Sequence, residues 1–201
     1  MKNKKEYEAI VIGVSAGGMT ALKNFLPVFP PGFGLPIIIV LHISAYSENS
    51  WIEILNKLCS LPIKEADEKE SLEAGKIYVA PSNYHLLIEK DRTFSLTIDE
   101  KVNYARPSID VLFETASDVF KENLIGIILT GSSIDGVEGV KRIRKNNGMV
   151  IVQDPETAES PSLPLVCIRA VEPDYILSLE KIAELLMNIS ELKSDPSHKT
   201  I

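Results

Sequence analysis

Tyr7-Glu8-Ala9-Ile10-Val11-Ile12-Gly13-Val14-Ser15-Ala16-Gly17-Gly18 decides the fold. An apolar run ends in a glycine turn with a serine at its apex, and a helix-like stretch over Ala16–Leu26 begins at once. Gly13 and Gly17 carry no Cβ, so the chain can turn tightly there and lift the Ser15 hydroxyl clear of the strand. The helix start points free backbone N–H groups at that hydroxyl, where a negative oxygen is stabilised. Two readings stand side by side. The turn suits a nucleophilic serine, and it equally suits an anion held at a helix N-terminus. It is not G-x-G-x-x-G, because Ser15 takes the second glycine position, and it is not a P-loop, because no lysine follows Gly18.

Working outward, strand-like and helix-like stretches alternate. Pro36–Leu41 is a continuous apolar run, as expected of a parallel strand buried on both faces. Ser50–Leu58 is amphipathic, with Trp51, Ile54, Leu55 and Leu58 on one side. Short strands are expected at Ile63–Ala66 and Lys76–Ala80. Tyr84–Glu89 and Thr93–Ile98 flank Lys90-Asp91-Arg92, a hairpin turn. Helices are expected at Ile109–Phe120, Gly136–Lys145 and Glu180–Ile189, and strands at Ile125–Thr130 and Gly148–Gln153. The pattern predicts a single α/β domain over 1–193. It is a doubly wound, mostly parallel sheet with helices on both faces, a β-hairpin at one edge and a flexible tail over 194–201.

Composition narrows the partners. A net charge of −7 argues against a nucleic-acid backbone. The two cysteines, Cys59 and Cys167, are far apart, so neither a disulfide framework nor a zinc knuckle is indicated; no metal and no cofactor is called for. The charged N-terminus lacks the apolar stretch of a signal peptide, and no apolar run is long enough for membrane insertion. The expectation is a cytoplasmic protein.

Ligands of open α/β sheets bind beyond the carboxyl ends of the strands. There the first strand delivers Ser15, the second His42, the Ile125–Thr130 strand the loop Gly131-Ser132-Ser133-Ile134-Asp135-Gly136, and the Gly148–Gln153 strand Asp154. Serine, histidine and aspartate are the inventory for nucleophile, base and orienting acid. Their order differs from the Ser–Asp–His order of α/β-hydrolases. Each has a plainer reading: His42 as a hydrogen-bonded strand end, Asp135 as a helix N-cap, Asp154 as the former of a turn before Pro155. His85 reads as a packed loop residue.

Taken together, several segments resemble the catalytic domain of the bacterial chemotaxis methylesterases (CheB type). They are Ile12–Gly18, Val40-Leu41-His42, Val79-Ala80-Pro81, Arg106-Pro107-Ser108-Ile109-Asp110-Val111-Leu112-Phe113, Leu129-Thr130-Gly131 with Asp135-Gly136, and Gln153-Asp154. They follow the family's order over nearly the whole chain. The resemblance implies a parallel α/β domain that hydrolyses γ-glutamyl methyl esters on the cytoplasmic helices of chemoreceptors, releasing methanol, often with glutamine deamidation. It implies Ser15 as nucleophile, His42 as base and Asp135 as orienting acid. Ala16 and the Ser132 loop are implied as oxyanion donors. Arg106, before Pro107, is placed equally well as a binder of receptor carboxylates or as a structural ion pair.

The chain departs from the family pattern at Gly131-Ser132-Ser133, where Gly-Met-Gly is usual, at Leu41 and Ile43 beside the histidine, and at Ser162-Leu163-Pro164 in place of Gly-Met-Pro. No receiver domain fits before Tyr7, so a stand-alone catalytic domain or a fragment is expected, with a separate regulatory protein as a further partner. Two other functions compete: a small-molecule esterase or amidase outside chemotaxis, and a non-catalytic module that binds an anion at Gly13–Gly18.

Overall fold

The computed structural model describes residues 6–42 and 50–194. The elements run β1 (Ala9–Val14), α1 (Gly18–Phe25), β2 (Ile37–Leu41), α2 (Ser50–Leu58), β3 (Ile63–Glu65), β4 (Ile77–Val79), β5 (His85–Ile88), β6 (Phe94–Thr97), α3 (Ile109–Phe120), β7 (Leu124–Ile128), α4 (Val137–Lys145), β8 (Met149–Gln153), α5 (Ser162–Ala170), β9 (Tyr175–Leu177) and α6 (Leu179–Ser194). Seven strands form one sheet in the order β3-β4-β2-β1-β7-β8-β9, and every pairing in it is parallel.

The central strand shows why this sequence makes this sheet. All six residues of β1 are buried. Successive side chains of a strand point to opposite faces. Ile10, Ile12 and Val14 therefore pack on one face with Leu22 and Phe25 of α1, Leu55 of α2 and Ile182 and Leu186 of α6. Ala9 and Val11 pack on the other with Ile109, Leu112 and Phe113 of α3, Val140 and Ile143 of α4, and Leu163 and Cys167 of α5. A strand with an apolar residue at each position needs both faces covered, and the two helical layers supply that.

Chain order then fixes where a ligand can go. From β1 the chain winds to β2 on one side, and it later returns to place β7 on the other side of β1. The connection leaving β1 enters α1 on one face, and that leaving β7 enters α4 on the opposite face. The carboxyl ends of β1 and β7 are therefore the switch point of the topology, beyond which doubly wound sheets bind ligands.

Three features differ from the sequence expectation. The hairpin forms between β5 and β6, with Leu86 opposite Leu96 and Ile88 opposite Phe94, but it is a separate two-stranded ribbon rather than an edge of the main sheet. Its apolar residues Leu86, Ile88 and Phe94 are buried with Leu112 and Ala116 of α3, and the Phe94 ring lies 4.7 Å from that of Tyr78. Packing its face on a helix buries more apolar surface than pairing one strand at an edge would, and β3 and β9 take the edges instead.

The second difference is in the segment 154–178, for which the sequence pattern assigns no helix or strand and which contains α5 and β9. Four prolines at 155, 161, 164 and 173 hide them. Pro164 sits in the first turn of α5, where the missing N–H has no helical partner to lose. The last helix is also longer than expected, reaching Ser194; the tail expected beyond it lies outside the described residues from 195 onward. No helix among the described residues is long and apolar enough to cross a membrane.

Candidate active site

Parallel register brings the strand ends level. Gly13 pairs with Val40 and Val14 with Leu41, so the residues that follow, Ser15 and His42, emerge side by side. The backbone continues the ladder past the strands: His42 N–H donates to Val14 O at 3.0 Å, Leu129 N–H to Gly13 O at 3.0 Å, and Ser15 N–H to Thr130 O at 3.0 Å. Three chain segments thus meet at one point, with Ser15 half-buried between its two neighbours.

His42 joins the other two groups. Its Nδ1 lies 3.3 Å from Ser15 Oγ and its Nε2 lies 2.9 Å from Asp135 Oδ2. The His42 side chain is 15% exposed and that of Asp135 is 0% exposed. A carboxylate can only accept, so Nε2 carries the proton and Nδ1 offers its lone pair to the serine hydroxyl. The nitrogens are used in the reverse order from the serine-protease arrangement, in which Nε2 faces the serine. The 3.3 Å separation is at the long end for such a pair, as is common before substrate tightens it.

Asp135 is held by its surroundings rather than by His42 alone. Ser108 Oγ–H donates to its Oδ1 at 2.7 Å, Ile109 N–H to Oδ2 at 2.6 Å, and Asp110 N–H to Oδ1 at 3.3 Å. These are the N-cap hydroxyl and first two amides of α3, where the helix dipole favours negative charge. Burial pushes the Asp135 carboxyl up, but the hydrogen bonds from His42, Ser108 and Ile109 outweigh it and hold the group below its ordinary value. Asp135 N–H donates to Ser133 Oγ at 3.0 Å, which closes the turn on the other side.

The Ser15 turn rests on Thr130. The Thr130 hydroxyl donates to Ala16 O at 2.9 Å and accepts from Ser160 N–H at 2.8 Å. Thr130 N–H donates to Gln153 Oε1 at 2.9 Å, and Gln153 Nε2 in turn donates to Thr157 O at 3.1 Å. Gly131 passes so close that a Cβ there would lie 2.9 Å from Ser15 Cβ and 2.7 Å from Leu163 Cδ2. Gly17 takes φ 76°, and a side chain on it would strike Glu159 at 2.7 Å. Glycine is required at both places. Ala16 follows Ser15 in the chain, Ser132 follows the Gly131 that passes beside it, and both are exposed.

The other sequence candidates fall elsewhere. Arg106 donates from Nη1 to Ile98 O at 2.6 Å and Asp99 O at 2.9 Å, and from Nη2 to Asn83 Oδ1 at 2.8 Å. Its bonds tie together the loops that border the hairpin, and it forms no ion pair among the described residues. His85 is buried in β5, with Nε2 3.0 Å from Glu100 O. Asp154 accepts from Glu156 N–H at 3.0 Å and starts a short turn at Pro155. Ile43 lies outside the described residues. Sequence reasoning assigned no role to Ser108, Asp110, Thr130 or Gln153. Ser108 carried a signal, since a serine just before an amphipathic stretch is an N-cap; which distant acid that cap would face was not encoded locally.

The CheB methylesterase family pattern matches residues 10–186. The chain belongs to the CheB methylesterase family. It is an enzyme of the protein-glutamate methylesterase class. A Leptospira interrogans protein named protein-glutamate methylesterase/protein-glutamine glutaminase is 59% identical over 185 residues, covering 92% of this chain and 96% of that one. A Borreliella burgdorferi protein-glutamate methylesterase is 37% identical over 188 residues, covering 92% of this chain but 50% of its own length. Among solved structures, the catalytic domain of Thermotoga maritima CheB methylesterase superposes with a TM-score of 0.88 at 32% identity, over 92% of this chain and 99% of that one.

Proposed function

We propose that this domain, spanning 1–193, hydrolyses γ-glutamyl methyl esters on the cytoplasmic helices of methyl-accepting chemoreceptors, in chemotactic adaptation, and deamidates glutamine side chains at the same site. The observation that carries the reading is the His42 ring bridging Ser15 and Asp135 at 3.3 and 2.9 Å. The fitting compartment is the cytoplasm, where those receptor helices lie, with a separate regulatory protein as a second partner.

In this reading Ser15 Oγ attacks the ester carbonyl carbon while its proton passes to His42 Nδ1. The carbonyl oxygen becomes an oxyanion, for which the N–H groups of Ala16 and Ser132 are the donors. A backbone amide serves whatever its side chain, so serine at 132 is no obstacle. His42, now an imidazolium, is stabilised by the ionised Asp135. Collapse of the adduct breaks the ester C–O bond, and the leaving methoxide takes the Nδ1 proton and departs as methanol. Water then attacks the Ser15 acyl ester, gives its proton to Nδ1, and restores the receptor's glutamate side chain as the serine recovers its hydrogen. With glutamine, ammonia leaves in place of methanol. Arg106 stays outside this chemistry and braces the bordering loops.

Methanol release from methylated receptor tests the reading. The parent enzyme is expected to release it and Ser15→Ala to lose activity by several orders of magnitude while folding normally. Labelling of Ser15 by a fluorophosphonate without methanol release would assign a small-molecule esterase or amidase instead. Absence of both would leave an anion-binding module.

A further inference from the structure

Asp110 and Asp135 are both buried, and the hydrolysis above uses only the second. They stand at the facing N-termini of α3 and α4, and each acid caps the helix it does not belong to. Asp135, just before α4, accepts from Ile109 and Asp110 N–H at the start of α3. Asp110, in the first turn of α3, accepts through Oδ1 from Gly136 N–H at 2.9 Å and Gly139 N–H at 2.7 Å at the start of α4. Its Oδ2 accepts from Asn103 Nδ2 at 2.9 Å. The α4 N-cap is Gly136, which has no side chain to cap with, so the cap comes across from Asp110. The helices touch at this point: a Cβ on Gly139 would lie 2.5 Å from Phe113 Cβ and 3.3 Å from Asp110 Cα. Releasing Asp110 would therefore uncap α4 and loosen Gly136, the residue next to the acid that His42 depends on.

We propose that Asp110 is a positioning residue of the hydrolytic site, aiming Asp135 at His42 by clamping Gly136 and Gly139 across the contact between α3 and α4. The inference rests on the reading of Ser15, His42 and Asp135 as the hydrolytic triad.

The charge of Asp110 acts at the same place. Burial pushes its carboxyl up, the hydrogen bond from Gly139 opposes the rise, and the negative charge of Asp135 adds to it; the group is pushed up to about 7. The titratable groups around it are Asp135 from the turn before α4 and Cys167 from α5, whose thiol burial pushes up to about 12 and so keeps neutral. Glu114 stands on the same helix, with Glu138 and Arg142 of α4 beyond it, and His42 lies behind Asp135. Loss of the Asp110 proton as the solution passes neutrality adds a second negative charge behind the imidazole and favours the imidazolium formed in attack.

The rate of Ser15 labelling by a fluorophosphonate reads this without reference to the natural substrate. Asp110→Ala removes the acceptor and is expected to slow labelling at least about tenfold. Asp110→Asn keeps one acceptor oxygen and carries no charge. It should label within about threefold of the parent near pH 6 and fall progressively behind by about pH 8. The inference is overturned if Asp110→Asn follows the parent at every pH, or if Asp110→Ala labels at the parental rate. Should Asp110→Ala fail to fold by circular dichroism, the Asn profile alone decides. A parent not labelled at Ser15 overturns both this inference and the reading beneath it, whereas labelled parent and variant with superimposable profiles overturn this one only.

Discussion

The loops after β7 and β8 start alike and end differently. Each leaves a buried parallel strand at the same edge of the sheet, and each carries an aspartate ahead of a helical turn. Asp135 is fully buried and accepts from His42, Ser108, Ile109 and Asp110. Asp154 is half-buried and accepts from the backbone two residues along. Position at the sheet edge is therefore not what distinguishes an acid paired with a histidine from a turn former. The difference lies in what faces the loop. The start of α3 stands opposite Asp135 and offers it a hydroxyl and two amides, while Asp154 bends back on its own turn and meets no such array.

The largest test of that contrast is Asp135→Asn, which keeps the shape and removes the charge. By analogy with the serine-protease triad, hydrolysis should fall by as much as ~10⁴-fold, measured as methanol release. A rate within a few-fold of the parent would end the assignment. The same variant has a stability signature. The Asp135 carboxyl is depressed in the folded state, so it contributes stability above the ordinary carboxylate pKa of about 3.9, and that contribution is lost as acidification passes through the lower folded value. Acid titration should accordingly unfold the parent more steeply than Asp135→Asn.

Ser108→Ala asks whether the array, rather than His42, holds the acid. It removes the 2.7 Å hydrogen bond to Asp135 and the N-cap of α3 together. A hydrogen bond to a charged group is worth about 1.5–3 kcal/mol, so a rate loss of roughly tenfold and a visible drop in Tm are expected. Loss of stability with full activity would show that the α3 array shapes the fold and not the acid. Asp154→Asn gives the smallest effect. Its amide oxygen can still accept from Glu156 N–H, so rate should stay within about twofold and stability within about 0.5 kcal/mol. A dead Asp154→Asn enzyme would reverse the comparison.

The sheet and the delivery of Ser15 and His42 to one end of it were legible in the sequence because they are written locally, whereas Asp135 was set apart from Asp154 only by the family resemblance. Apolar runs such as Ile37–Leu41 announce buried parallel strands, and the residue that follows each strand end is read directly from the chain. The support around those side chains was not legible. Ser108 and Asp135 are 27 positions apart and Thr130 and Ala16 are 114 apart, and no local pattern says that α3 will point its first turn at the β7 loop. The hairpin was read correctly as a hairpin from Tyr84 to Ile98, but its burial against α3 depends on Leu112 and Ala116, which sequence spacing assigns only to some core. The helix at Ser162–Ala170 was obscured by proline, although Pro164 occupies a position where proline is harmless. Arg106 shows the same limit from the other side: its charge suited a receptor carboxylate and a structural ion pair equally, and nothing local pointed to its carbonyl partners at 98 and 99.

The parallel pairing of β2, β1 and β7 also sets a schedule. Ser15 meets His42 across 27 residues of sequence and His42 meets Asp135 across 93, and neither contact exists until the intervening chain has been wound through its helices. Loop closure over such separations comes late and makes this class of topology slow to fold. Synthesis proceeds from the N-terminus, so the serine leaves the ribosome long before its acid does. A growing chain that stops short of α4 carries the hydroxyl and the imidazole but lacks the carboxylate that orients the ring. On the proposed roles of Ser15, His42 and Asp135, the hydrolytic site is therefore among the last parts of the molecule to be assembled, and a chain not yet made as far as Asp135 lacks one of its three members.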